Sequence, residues 1–341
     1  MDIDRTNLLR ILDLLSPTLT GKDIAKATEG FHITPDYIEA CNNSTLVRIP
    51  FKSDMSDCIL PKDFLEILTR LPGEKVNIEI NENELVFKSG RVSGKIKLLQ
   101  LDYPVIELPT EGWKDFPDKL EIADAMYECK SVMFKGIYID ADTISATDSY
   151  QAIIKTIKTG IEEGIILDEK LVQLADRFAE IKQFKIIGDD VFLKTEHEDI
   201  LAGKCYPKTG NNSVSYLYEW VRLVKQIMEK VKKSCKEIPI PESLKESLAK
   251  HDLIQSNMKS RSRVVKVKLD KTKMTLESVG NKVSELKEQF TIDSDLECSF
   301  QIPPKELEQA LAIGGKVFYS ETNHCLYIKN GDVEYLTNCS K

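Results

Sequence analysis

At 341 residues the chain exceeds what one compact core ordinarily holds, since domains cluster near roughly 100 to 150 residues, and two or three domains are expected. With 42% hydrophobic and 30% charged residues it has the composition of a soluble globular protein, and no stretch approaches the roughly 20 apolar residues of a membrane span. A formal net charge of -8 argues against attachment to nucleic acid by bulk attraction, although a locally basic surface on an acidic body stays open.

The first predicted element is the amphipathic stretch NLLRILDLLSPTL. Its leading MDIDRTNLLR lacks the basic and then apolar regions of a signal peptide, so a cytoplasmic location is expected. A predicted hairpin, GFHITPDYIEACNNS from Gly30, follows. Next comes CILPKDFLEILTRLPGEKVNIEINENELVFKSG, which reads as a short strand, a helix opened by Pro61, and two alternating strands around a polar turn.

The same succession returns twice. DKLEIADAMYECKSV, GIYIDADTISATDS from Gly136 and GIILDEKLVQLADRFAEIKQFKIIGDDVFLKTE form the second copy, with Leu60 and Leu167 standing 107 residues apart. ESLKESLAKHDLI, VVKVKLDKTKMTLESVG and SFQIPPKELEQALAIGGKVFYSETNHCLYIKNG form the third. Each module is helix, strands, helix, strands. The step from Leu167 to Ile302 is longer, and the excess falls on residues 209 to about 236. There Leu217, Trp220, Val221, Val224, Ile227, Met228 and Val231 lie at helical spacing, leaving a basic face of Lys225, Lys230, Lys232 and Lys233. Two readings of that helix stay open: packing on the body with a solvated basic face, or contact with a partner or DNA. The expected boundaries are 1–112, 113–208 and 237–341 for the modules, with 209–236 as a helical insertion.

Residues for catalysis are hard to find. Eight scattered cysteines form no Cys-x-x-Cys pair, and His32, His197, His251 and His324 sit in different modules without metal-ligand spacing. Glu196, His197, Glu198 and Asp199 adjoin one another on what reads as a strand, where neighbours point to opposite faces. Asp140, Asp142 and Asp148 read as hairpin-turn residues. Neither GIEEG nor Gly314-Gly315 has the glycine spacing of a phosphate loop, and no nucleophile elbow occurs. No enzyme activity, cofactor or metal is expected.

Several segments carry a resemblance. ATDSYQAI (146–153), LPKDFLEILTRLPGEKVNIEINENELVFKSGRVSGKIKLLQLDYPVIELP, LAGKCYP (201–207) and DLIQSN (252–257) are similar to stretches of the bacterial DNA polymerase sliding clamp family, and as an ordered set they span nearly the whole chain. The resemblance implies an α+β fold of three tandem clamp modules, each two helices packed on antiparallel sheet, forming half of a six-domain ring. Two chains would close head to tail around duplex DNA as a polymerase processivity factor, with a replicative DNA polymerase and a clamp loader as partners. A non-sliding clamp-fold scaffold or inhibitor is the alternative, and a nucleotide-processing or metal enzyme on a repeated scaffold a more distant one.

Carried onto this sequence, the resemblance makes Arg5, Arg10, Lys62, Arg70, Lys119, Lys130, Lys170, Arg177, Lys245, Lys250 and Lys305 the DNA-facing cations, with Lys259, Arg261 and Arg263 as further candidates. Weak, sequence-blind phosphate contacts suit a ring that slides. The peptide cleft would use Phe134, Thr147, Ser149, Tyr150, Gln151, Ala152, Pro207, Leu336, Asn338, Cys339 and Ser340. Here the sequence departs from the family: YLTNCSK replaces the usual apolar Met-Pro-Met-Arg ending, and Ser149, Tyr150 and Gln151 replace Gly-His-Arg. That departure implies a different preferred peptide. The dimer interface would run along RVSGKIKLL, with Ile96, Leu98, Leu253 and Ile254 as apolar anchors.

Overall fold

The computed structural model describes residues 1–19, 29–116, 136–147, 150–162, 164–178, 180–207, 215–259, 262–280 and 284–340. Two compact units emerge from the chain path, one made of residues 1–121 and 159–210, the other of residues 122–158 and 211–341.

The first module begins with β1 (Asp2–Asp4) and α1 (Arg5–Leu15). The Asp4 carboxylate caps the helix by accepting from the Asn7 amide at 2.8 Å, satisfying one of the amide groups that a helix start leaves unpaired. Leu8, Ile11, Leu12 and Leu15 fall on one face of α1 and are buried. Strands β2 (Gly30–Ile33), β3 (Tyr37–Cys41), β4 (Thr45–Pro50) and β5 (Cys58–Pro61) follow. Pro61 closes β5 instead of opening the helix, and α2 begins at Asp63 and runs to Arg70, burying Phe64 and Leu68.

Beyond α2, β6 (Lys75–Ile80), β7 (Glu84–Ser89) and β8 (Val92–Lys97) join β1 in an antiparallel sheet ordered β1-β6-β7-β8. The alternation of NIEINENELVFKS is that of a sheet with one covered face: Val76, Ile78, Leu85 and Phe87 are buried between neighbours that are half-buried or exposed. Gly94 pairs with Phe87, and an added Cβ there would stand 2.5 Å from the ring, so glycine lets β8 approach. The predicted hairpin of β2 and β3 does not alternate in exposure. Its strands are buried on both faces, being interior to the order β5-β2-β3-β4-β16 and covered on one side by α1.

A short β9 (Lys114–Asp115) precedes the second module. The helical stretch predicted before residue 136 lies outside the described residues. The module continues with β10 (Gly136–Ile139), β11 (Thr143–Thr147) and β12 (Gln151–Thr156), then β13 (Ile165–Asp168), α3 (Glu169–Ala175), β14 (Ile181–Ile187), β15 (Asp190–Thr195) and β16 (Ile200–Pro207). Asp168 caps α3 through the Lys170 amide at 2.9 Å. In the first unit β16 pairs antiparallel with β4, so the sheet of the first module continues into the second half of the second.

The insertion forms α4 (Ser215–Ser234), and β17 (Lys236–Ile238) adds to the edge of β22. The third module then supplies α5 (Leu244–Ile254), β18 (Val265–Asp270), β19 (Lys273–Val279), β20 (Glu285–Thr291), β21 (Glu297–Ile302), α6 (Pro304–Ile313), β22 (Lys316–Ser320), β23 (Cys325–Asn330) and β24 (Val333–Asn338). Pro304 occupies the first turn of α6, where its missing N–H costs nothing. The second unit has its own four-stranded antiparallel sheet, ordered β20-β19-β18-β21.

Two histidines are buried among charges. The two ring nitrogens of His32 lie 3.0 Å from Glu39 and 2.9 Å from Asp57; Arg48 holds the other Glu39 oxygen at 2.6 Å, and the Tyr103 ring stacks on the imidazole. Burial opposes charge on His32, but the hydrogen bonds its ring donates to the Glu39 and Asp57 carboxylates outweigh it and its pKa is raised. His251 on α5 is fully buried, with Nδ1 2.7 Å from the Ser278 hydroxyl, and burial lowers its pKa.

Candidate functional site

In the second unit, β12 of the second module pairs antiparallel with β24 of the third, placing Ala152 opposite Leu336 and Gln151 opposite Thr337. This seam brings together Thr147, Tyr150, Gln151 and Ala152 with Leu336 and Asn338, all assigned to the peptide cleft from sequence. The turn into β12 is held by the Thr147 hydroxyl, which donates to the Gln151 carbonyl at 2.7 Å. The Tyr335 hydroxyl donates to the Gln151 side-chain carbonyl, and the Asn338 amide donates to the Tyr150 carbonyl at 3.0 Å. Tyr150 is 60% exposed at the rim, whereas Gln151 is buried.

The expected capping tail is itself knitted into the sheet. The Cys339 amide donates to the His324 carbonyl at 2.7 Å, and Ser340 exchanges two backbone hydrogen bonds with Gln301 of β21 at 2.7 and 2.9 Å. Burial raises the pKa of the Cys339 thiol, and that of Cys325 is pushed up to about 12. Both thiols therefore stay protonated, and that of Cys339 adds apolar volume to a tail whose sequence looked polar. Phe134 and Ser149 lie outside the described residues, and Pro207 ends β16 in the first unit.

The apolar floor of the seam is covered by α4. Val224, Met228 and Val231, at i, i+4 and i+7, form one buried cluster with Ala152, Ile154, Cys325, Tyr327 and Leu336. Ile227, expected on the same stripe, instead faces outward at 41% exposure. Nor are all the lysines of α4 a solvated face. Lys225 donates to Asp140 Oδ2 at 3.0 Å and to the Thr143 hydroxyl at 2.9 Å in the β10–β11 hairpin, while Lys232 reaches Glu334 of β24 and Glu229, each at 2.6 Å. Burial works against the charge on Asp140, but hydrogen bonds from Lys225 and Thr143 prevail and lower its pKa. Burial likewise opposes the charge on Lys232, and its two carboxylates overcome that and raise its pKa. At the end of α4 the Ser234 hydroxyl is 2.8 Å from that of Ser320, and the Asn323 amide donates to Ser234 at 2.9 Å. The signal for this attachment was present in the 3.6-residue periodicity; its target was not.

The cations assigned to DNA have unequal surroundings. Arg5 donates to the Gly73 carbonyl at 2.6 Å and the Leu68 carbonyl at 3.1 Å, closing the end of α2. Arg177 holds the Asp13 carbonyl and carboxylate at 3.2 and 3.1 Å, Lys170 reaches Ser44 at 3.4 Å, and Lys250 pairs with Glu288 at 2.9 Å. Arg10 is exposed and donates to Asn7, while Lys62, Arg70, Lys245 and Lys305 are exposed. Lys119, Lys130 and Arg261 lie outside the described residues. Arg263 donates to Asp252 at 3.1 Å and to two backbone carbonyls, a structural clasp at the end of α5; Lys259 is exposed.

Of the assigned interface residues, Leu253 is 73% exposed and Ile254 and Ile96 are half-buried. Leu98 is packed inside its own unit. The segment carrying Glu196, His197, Glu198 and Asp199 is a tight turn between β15 and β16, not a strand: Glu198 has a φ of 65°, and buried Asp199 accepts from the Thr195 hydroxyl at 3.0 Å. Asp140 organises its hairpin by accepting from the Thr143 amide and hydroxyl, both at 2.8 Å. Among the described residues, no three His, Cys, Asp or Glu side chains gather where they could hold a metal ion, and no helix is long and apolar enough to cross a membrane.

No protein-family model matches the sequence, and no curated protein does. Solved structures, by contrast, match end to end. The DNA polymerase III β subunit of Thermotoga maritima superposes with a TM-score of 0.75 at 16% identity, covering 100% of this chain and 98% of its own. The chain has the fold of a bacterial sliding clamp. The Helicobacter pylori β clamp bound to a DNA ligase peptide gives 0.74 at 18% identity, and a Pseudomonas aeruginosa sliding clamp bound to griselimycin gives 0.73 at 14%, each covering 100% of this chain and 99% of its own. At such identities the likeness is one of fold, with few side chains in common.

Proposed function

We propose that this protein is a DNA polymerase processivity factor: a sliding clamp that closes as a head-to-tail homodimer around duplex DNA and recruits a replicative polymerase and a clamp loader through the β12–β24 seam. The observation that carries this reading is the end-to-end clamp fold, with TM-scores of 0.73 to 0.75 over 98 to 99% of three clamp chains. A ring stays on DNA by linkage, so a net charge of -8 is compatible with the task, provided a few cations such as Arg10, Lys62, Arg70, Lys245 and Lys305 meet the backbone. Salt would weaken such contacts without releasing a closed ring.

Ring closure would pair β8 of one copy with β20 of the other. Each ends its sheet, at opposite extremes of the two four-stranded orders. Exposed Val92 at the start of β8, and Leu253 and Val279 near β20, would supply apolar area; β8 carries Lys95 and Lys97, and β20 brings Glu285 and Glu288 along with Lys287. Two identical interfaces would join six modules.

The test is native mass spectrometry of the purified protein at micromolar concentration. A dimer is expected, and a strict monomer or a trimer overturns the ring.

A further inference from the structure

The cleft residues recruited from sequence divide into two groups in the structure. Tyr150 at 60% exposure and Asn338 are open to solvent, whereas Ala152 and Leu336, the apolar floor, are 3% and 6% exposed. What closes the floor is not the tail but α4, whose Val224, Met228 and Val231 share one buried cluster with both residues. Three apolar anchors at i, i+4 and i+7 laid onto a sheet surface are how an amphipathic helix fills a groove as a ligand.

The rest of α4 is attached by polar contacts at its flanks. Lys225 to Asp140 and Thr143 on one side, and Lys232 to Glu334 on the other, are pairs whose lysine side chains keep 36% and 29% exposure. Ion pairs this wet exchange readily with water, so they orient α4 without making its release prohibitive. The outward residues Arg222, Leu223, Gln226, Ile227, Lys230 and Lys233 are all exposed, so the helix meets solvent on its far side.

Resting on the peptide-cleft reading above, we infer that α4 is an intramolecular occupant of the cleft: it fills the apolar floor at Ala152 and Leu336, and a partner peptide gains that floor only by displacing it. Tyr150 and Asn338 then form the open rim where an extended peptide first lands, and its apolar anchors replace Val224 and Met228. The partner fitted to this site carries at least two adjacent large apolar side chains, because a single anchor would not repay the uncovering of three. Affinity is thereby scaled by the fraction of molecules in which α4 is displaced, and anything that holds α4 down lowers recruitment.

The experiment compares the full-length protein with a Val224→Ser, Met228→Ser, Val231→Ser variant, using fluorescence anisotropy of a fluorescein-labelled synthetic peptide with adjacent Leu and Phe anchors. The expected result is binding by both, at least about a hundredfold tighter to the variant, as an occlusion that leaves fewer than about one molecule in a hundred open would produce. A synthetic peptide of residues 215–234 added in trans is expected to compete for the variant. Equal or weaker binding by the variant overturns the occlusion and leaves the peptide-binding function standing, with α4 a fixed wall of the site. Absence of binding to both, with the variant folded by circular dichroism, overturns the cleft reading and the occlusion together. Should the variant fail to fold, hydrogen exchange of residues 221–234 in the unmodified protein decides: saturating peptide is expected to accelerate it, and unchanged or slower exchange overturns the occlusion.

Discussion

The β12–β24 seam and the strands β8 and β20 are all places where a clamp module could have ended, and the chain treats them in opposite ways. At the seam every residue from Gln151 to Lys155 has a partner on β24, the tail adds a further bridge at Ser340, and α4 covers the floor. At β8 and β20 one ladder is formed and the other side bears exposed Val92 or the charges of Glu285 and Lys287. The same antiparallel chemistry is thus sealed where two modules of one chain must stay joined, and left open where a second chain is proposed to add.

The largest expected effect lies in the sealed region. Met228→Asp places an uncompensated carboxylate among Ala152, Tyr327 and Leu336 and is expected to lower stability by about 3–5 kcal/mol in urea unfolding. Ile227→Asp, one residue away but facing solvent, is expected to change it by under about 0.5 kcal/mol. Equal costs for the two would dissolve the contrast between the covered and open faces of α4.

In the open region the order is reversed. Val92→Asp is expected to leave the unfolding of the monomer within about 0.5 kcal/mol of the parent, yet to weaken dimerisation at least about tenfold in native mass spectrometry. An unchanged dimer would move the interface away from β8.

The buried histidines sharpen the comparison between the modules that carry these edges. His32 has a raised folded-state pKa, so its stabilisation is complete below the unfolded value near 6.5 and is lost as pH rises through the folded value. His251 has a lowered one, so its contribution is present above 6.5 and is lost as pH falls toward the folded value. His32→Gln, which gives up a charged hydrogen-bonding partner to Glu39 and Asp57, is expected to cost about 1–3 kcal/mol at pH 6 and less at pH 8, by unfolding at the two pH values. NMR titration of both rings checks the directions independently.

A modest effect is expected at the half-exposed staple. Lys225→Ala, which removes a pair at 36% exposure, is expected to lower stability by no more than about 1 kcal/mol in urea unfolding.

Periodicity alone disclosed the modules. Alternation through NIEINENELVFKS and the spacing of Leu8, Ile11, Leu12 and Leu15 are local rules that any burial of one face imposes, and the structure follows them. The same holds for α4, whose Val224, Met228 and Val231 stripe is visible in the sequence although Ile227 is not on it. The resemblance assigned residues of the ATDSYQAI segment and of the tail to one cleft, and β12 and β24 do lie side by side. What those residues touch was not legible, because their partners are separated by more than 180 residues, as for Tyr335 and Gln151.

The sequence by itself determined that one module recurs three times, where most of the described helices and strands fall, and that β8 carries an alternating, cationic run. Only the tertiary structure decided that Arg5 closes α2 through two carbonyls, that Lys225 and Lys232 are staples, and that α4 lies on the floor formed by Ala152 and Leu336. The division has a physical reason. Periodicity reports which face of an element leaves water, since burial depends on residue type along one chain segment. Which surface receives that face depends on packing and charge pairing between segments far apart in sequence, and those are properties of the folded chain alone.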